Sequence, residues 1–141
     1  MSKSDVFEND YLLLILNATA ITNVAQNGTS PLTSLQLALH TADPGESGSE
    51  TTSEANYGAY ARKAVTRTSA GFTVSGGVGS LVSNCDFAVA TSLSNTISFF
   101  HVGTAASGTG KILYSGTVTP NISVSTGIGP RLAAGSIITE D

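Results

Sequence analysis

Thr96-Ile-Ser-Phe-Phe-His-Val102 places Ile97, Phe99 and His101 on one face of an extended chain and Phe100 and Val102 on the other. A strand apolar on both faces belongs in the middle of a sheet with cover on each side. Outward from it the same two-residue period returns. Lys111 to Val118 reads as the next strand, reached through the glycine-bearing hairpin loop Gly103–Gly110. Upstream, Leu35, Leu37 and Leu39 alternate with Gln36, Ala38 and His40. Tyr60–Arg67, Phe72–Ser75, Leu81–Val89, Ile122–Thr126 and Ser136–Thr139 complete a set of about eight short strands, spaced as in a sandwich or barrel. The sequence predicts an all-β, jelly-roll-like antiparallel β-sandwich, with the long 41–57 loop as a crossover between sheets.

One segment has a different period. Phe7, Tyr11, Leu14 and Ala18 recur at helical spacing, and Leu12, Leu13, Ile15 and Leu16 widen the stripe. Ser4 is suited to the N-cap, with Asp5 and Glu8 in the first turn where the helix dipole favours negative charge. The spacing predicts a helix over about Asp5–Asn17, too apolar to stand alone, packed on its own sheet or on a neighbouring molecule. The expected division is an N-terminal helical arm over 1–20 and a β-domain over 21–141.

Composition agrees with this. The chain has 141 residues, with 15 Gly, 19 Ser and 18 Thr, and only 11% are charged, against roughly 25% in an average domain. Such a chain covers itself with hydroxyls and turns. A net charge of −4 argues against nucleic acid as a partner, because binding there needs a basic face. The polar, acidic start is unlike a secretory signal, and the apolar run from Tyr11 to Leu16 is too short to cross a bilayer. A soluble protein made in a cytoplasm, with no membrane partner, is expected. The lone Cys85 excludes an internal disulfide and reads as a small buried residue.

Patterns for catalysis are absent. Gly103-Thr-Ala-Ala-Ser-Gly-Thr-Gly-Lys111 lacks the spacing of a phosphate-binding loop and lies between strands, not before a helix. No Gly-x-Ser-x-Gly elbow occurs. His40 and His101 are expected as structural histidines in or beside the core, without metal-ligand spacing. Asp43, Glu46, Glu50 and Glu54 read as a solvated flexible loop or one that docks on a partner, with calcium as the alternative. The expectation is therefore no enzyme, no catalytic residue, no cofactor and no metal. Arg62, Lys63 and Arg67, beside Tyr57 and Tyr60, form either a contact patch or a solvated strand face.

Several stretches taken together add a resemblance. Met1-Ser-Lys-Ser-Asp-Val-Phe-Glu-Asn-Asp10, Leu37-Ala-Leu-His-Thr-Ala-Asp-Pro-Gly-Glu46, Thr52-Ser-Glu54, Tyr57 and Tyr60-Ala-Arg62 run in order with Gly103-Thr-Ala-Ala-Ser-Gly108, Lys111-Ile-Leu-Tyr-Ser-Gly116, Ala133-Ala-Gly135 and Ile138-Thr-Glu-Asp141. The chain resembles a family of small structural proteins of tailed bacteriophages, often labelled tail fibre proteins, and is similar above all to the capsid cement (decoration) proteins of short-tailed phages. Phe72 stands where the resemblance leads us to expect tryptophan. The resemblance implies a virion protein on the capsid exterior, a homodimer that bridges neighbouring subunits of the major capsid protein. A tail- or fibre-associated module is the alternative, and a carbohydrate-binding module a further one. The partner interface is then expected to involve Val6, Phe7, Tyr11 and Leu14 of the helix, with Asp43, Glu46, Tyr57, Tyr60 and Arg62 of the loop and the strand after it.

Overall fold

The computed structural model describes residues 4–21, 24, 25, 28 and 31–139. In chain order the elements are α1 (Asp5–Asn17), β1 (Ser34–His40), β2 (Lys63–Thr66), β3 (Phe72–Ser75), β4 (Val78–Leu81), β5 (Cys85–Asp86), β6 (Asn95–Gly103), β7 (Ile112–Val124), β8 (Arg131–Leu132) and β9 (Ile137–Thr139). The strands form sheets ordered β2-β1-β6-β7, β3-β4-β9 and β5-β8. The class is that of an all-β sandwich with an N-terminal helix, and the sheets are antiparallel. The chain divides into two compact units, one of residues 1–34, 66–84 and 133–141, the other of 35–65 and 85–132.

In the first unit α1 begins where Ser4 accepts a hydrogen bond from the Phe7 N–H, and ends where Ala18 turns left-handed at φ 54. Leu12 and Leu16 are fully buried, and α1 packs on β3 and β4. A Cβ on Gly79 would collide with Leu16 Cδ1, so the glycine is what lets the helix lie close to β4. No basic residue occupies the last helical turn. Arg67 supplies the missing charge: its Nε and Nη2 each donate at 2.6 Å, to the carbonyls of Ile15 and Leu14. Strands β3 and β4 form a hairpin with Ser75 opposite Val78, and the turn between them is Gly76-Gly77, at φ 58 and 72. A two-residue turn with both φ values positive suits the twist of the strands.

In the second unit β1 and β6 are central. Every residue of β1 from Leu35 to His40 is buried. Strand β6 pairs with β1 through Leu37↔Val102 and Leu39↔Phe100, and with β7 through Val102↔Tyr114 and His101↔Ser115.

Strand boundaries depart from expectation at three places. Tyr60–Arg67 is extended only over Lys63–Thr66, because the Tyr60 N–H turns back onto the Tyr57 carbonyl at 3.0 Å. Leu81–Val89 divides into β4 and β5, with the Asn84 side chain accepting from the Ala134 N–H between them. The segments expected as Lys111–Val118 and Ile122–Thr126 are one strand, β7, whose register jumps from Thr117↔Phe99 to Ile122↔Ile97. Pro120, with no N–H for the ladder, lies in the resulting bulge.

Candidate functional site: a buried ionic clamp

The polar centre of the second unit is built on the segment that follows β1. Thr41 N–H donates to the Ser53 carbonyl and Ala55 N–H to that of Leu39, which folds residues 41–55 back over the strand they leave. This brings Glu50 beneath the loop joining β6 to β7. Its carboxylate accepts from the backbone N–H groups of Thr104 at 2.5 Å, Ala105 at 3.2 Å and Lys111 at 3.1 Å, and its own N–H donates to the Thr109 carbonyl. A Cβ at Gly103 or Gly110 would overlap that carboxylate. The loop is glycine-bearing at these two positions because it wraps an acid.

Arg62 completes the charge pairing. Nη1 donates to Glu50 and to the Ala105 carbonyl, Nη2 to Glu54 Oε2 and the Gly108 carbonyl, and Nε to Glu54 Oε1 at 2.7 Å. All five N–H donors of the guanidinium thus have acceptors. The side chains of Arg62 and Glu50 are 3% and 0% exposed. The hydrogen bond and charge of Glu54 outweigh burial and hold the Arg62 proton more firmly than usual. Tyr60 extends the network: its hydroxyl donates to Glu54 and accepts from the Leu39 N–H at 3.0 Å. Burial makes the Tyr60 phenol a weaker acid than an ordinary tyrosine, its proton held above the usual range. Its ring stacks on Phe87 and meets Tyr57 edge-on.

Beside this network His40 and His101, both fully buried, lie 2.5 Å apart through Nε2 and Nδ1. His40 Nδ1 contacts the Thr52 carbonyl oxygen at 2.8 Å. Desolvation lowers both rings: His101 falls to about 3, with the charges of His40 and Arg62 adding to burial, and His40 falls although the Thr52 hydrogen bond and the Glu54 charge oppose the shift.

The residues expected at a partner interface are dispersed. Val6 and Phe7 are exposed on α1, where the Phe7 ring lies 6.4 Å from that of Tyr11, and Tyr11 and Leu14 are half-buried. Asp43 and Glu46 are exposed at the rim of a groove of about 540 Å³ that Lys111, Leu113 and Ser115 also line. Tyr57 and Arg62 are buried and Tyr60 is half-buried. The Arg62 guanidinium, whose donors are all satisfied inside the unit, has none to offer a partner. The cluster of Arg62, Lys63 and Arg67 likewise separates, into the clamp, an exposed position on β2 and the end of α1.

The 41–57 segment also differs from a solvated loop. Glu50 and Glu54 are ligands of Arg62, which removes two of the four carboxylates that calcium would need. Among the described residues no group of three or more His, Cys, Asp or Glu side chains is placed to hold a metal. Sequence reasoning missed the clamp because its members lie 6 to 61 positions apart, from Glu54–Tyr60 to His40–His101. The available signal was a pair of glycines, Gly103 and Gly110, bracketing a loop that also held hydroxyl and amide donors. Cys85 is buried as expected, its thiol pushed up to about 11 by burial.

Comparison with protein families places the chain among the structural proteins of short-tailed bacteriophages. The chain belongs to the Gp80 family, described as podophage GP4 fiber I protein gp80, whose model matches residues 2–140. No curated protein matches it. No described helix is long and apolar enough to cross a membrane.

Proposed function

We propose that the chain is a fibre-associated structural module of the virion, acting through rigidity, shape and copy number and needing no catalytic group, cofactor or metal. The observation that carries this reading is the match to a fibre protein family along residues 2–140. The clamp supports it physically. A part that transmits or resists force gains from loops fixed by a satisfied buried network. The contacts proposed for neighbouring virion proteins, including further copies of this chain, are the exposed helix residues Val6 and Phe7, with Tyr11 and Leu14 beside them, and the rim acids Asp43 and Glu46. Binding that is tighter in the assembled particle than to free subunits stabilises the assembly by linkage.

The resemblance to capsid cement proteins supports a second reading, in which the same module bridges neighbouring major capsid subunits on the shell exterior. Band stoichiometry in purified virions separates the two. A fibre-associated module appears at tens of copies or fewer per particle. A ratio near one to the major shell protein overturns the fibre reading in favour of shell bridging.

A further inference from the structure

The two clamp histidines form a chain of hydrogen bonds whose direction is set by chemistry. The Thr52 carbonyl oxygen only accepts, so the proton of that contact sits on His40 Nδ1. Neutral His40 then carries its lone pair on Nε2, and His101 Nδ1–H donates to it at 2.5 Å. Neutral His101 in turn carries a lone pair on its own Nε2, a buried atom with no hydrogen-bond partner among the described residues. The pair is complete as two neutral rings. A further proton can enter only at His101 Nε2, which would make a buried imidazolium next to a second imidazole and the Arg62 guanidinium.

The groups facing the pair do not offset this. Arg62, from the covering segment, lowers both rings, while Glu54 and Asp43 favour protonation of His40 less than burial opposes it. The Glu50 carboxylate and the His101 ring converge on Gly103, but Glu50 is already engaged by Arg62 and three backbone N–H groups. The β7 residue opposite His101 is the uncharged Ser115.

We propose that the His40–His101 pair is an acid-released latch: on acidification, detachment of segment 41–62 from β1 and β6 takes up two protons that the closed form refuses, and the clamp opens. The sign follows from linkage. Both rings have lowered values when closed and ordinary ones, about 6.5, when open. Their contribution to closure is therefore complete above that pH, and is lost as pH falls toward the value of about 3 held by His101. Each proton taken up raises the opening constant up to about tenfold per pH unit, so two raise it up to about a hundredfold. This inference does not depend on whether the module serves a fibre or a shell.

Amide hydrogen exchange at Thr104, Lys111 and Ala55, corrected for intrinsic rates, reads the opening constant directly. Between pH 6.5 and 5 it is expected to rise by about ten- to a hundredfold per unit, and to lose that dependence in H40Q/H101Q. A constant that does not change with pH, or the same rise in the double variant, overturns the latch. Nitrogen NMR of the unsubstituted protein gives a second readout should the variant fail to fold. His101 is expected to remain a neutral Nδ1–H tautomer well below pH 6 while the protein stays folded, and His40 to titrate below its ordinary value. A ring that titrates near its ordinary value in the folded protein overturns the proposal.

Discussion

Glu50 lies directly under Gly110, in the space that a side chain on that residue would fill, and Arg62 meets it there with neither group open to solvent. The pair is thus embedded in backbone on one side and in the sheet unit on the other. Buried ions in such a position contribute little net stability as a pair, because desolvation cancels much of their attraction, but removing one leaves the other stranded.

Glu50→Ala and Arg62→Ala are each expected to cost about 3–5 kcal/mol, read as a drop in the urea midpoint with a similar slope. Arg62→Lys keeps the charge but not the planar five-donor fork, so it recovers only part of the loss. A Lys variant as stable as the parent would show that charge alone holds the clamp.

Gly103 and Gly127 separate crowding from backbone strain. Gly127 has φ 89 with nothing within 4 Å of an added Cβ, so Gly127→Ala costs strain only, about 1–2 kcal/mol. At Gly103, for which no positive φ applies, Gly103→Ala meets the Glu50 carboxylate and the His101 ring and costs about 1–3 kcal/mol. In a Glu50→Ala background the Gly103→Ala cost falls, whereas that of Gly127→Ala does not. A double-mutant cycle on denaturation midpoints checks this.

Helix α1 is held from its buried side and from its end. Leu16→Ala is expected to cost about 2–5 kcal/mol through the cavity left over Gly79. Arg67→Met removes charged donors from the Leu14 and Ile15 carbonyls and costs about 1.5–3 kcal/mol. Thermal melts followed at a helix-sensitive wavelength read both losses.

Alkaline pH acts through groups whose protons are held more tightly in the fold. Burial raises Cys85 to about 11 and Tyr57 to about 12. Stability from such groups is complete below their unfolded values and is lost as pH rises through the folded ones, so the melting temperature falls as pH passes about 9. At pH 8 the folded protein is expected to resist iodoacetamide at Cys85, and the urea-unfolded chain to react at once. Labelling of the folded chain at the unfolded rate would contradict the burial.

What could be read from the sequence, and what could not, follows the range of the interactions involved. Helix α1 was legible from Ser4 to Asn17 because its cap and its apolar spacing are local. Strands β1 and β6 were legible because Leu35–Leu39 and Ile97–Val102 carry their own period. The limits of β2, β5 and β7 were not, since a Tyr60 turn, an Asn84 side chain and the bulge at Pro120 decide them. The clamp was least legible of all. Glu50 reads as one acid among several in a polar loop, and only the folded chain brings it to Arg62 and to the N–H groups of residues 104, 105 and 111.

The Arg67 seal on α1 also imposes an order on biosynthesis. The carbonyls it closes, at Leu14 and Ile15, emerge from the ribosome about fifty residues before the guanidinium does. Over that interval the nascent helix lacks both its seal and the strands that bury Leu12 and Leu16. It leaves the exit tunnel as an oily stretch without its partners, which become available only when the chain has grown past the β3–β4 hairpin.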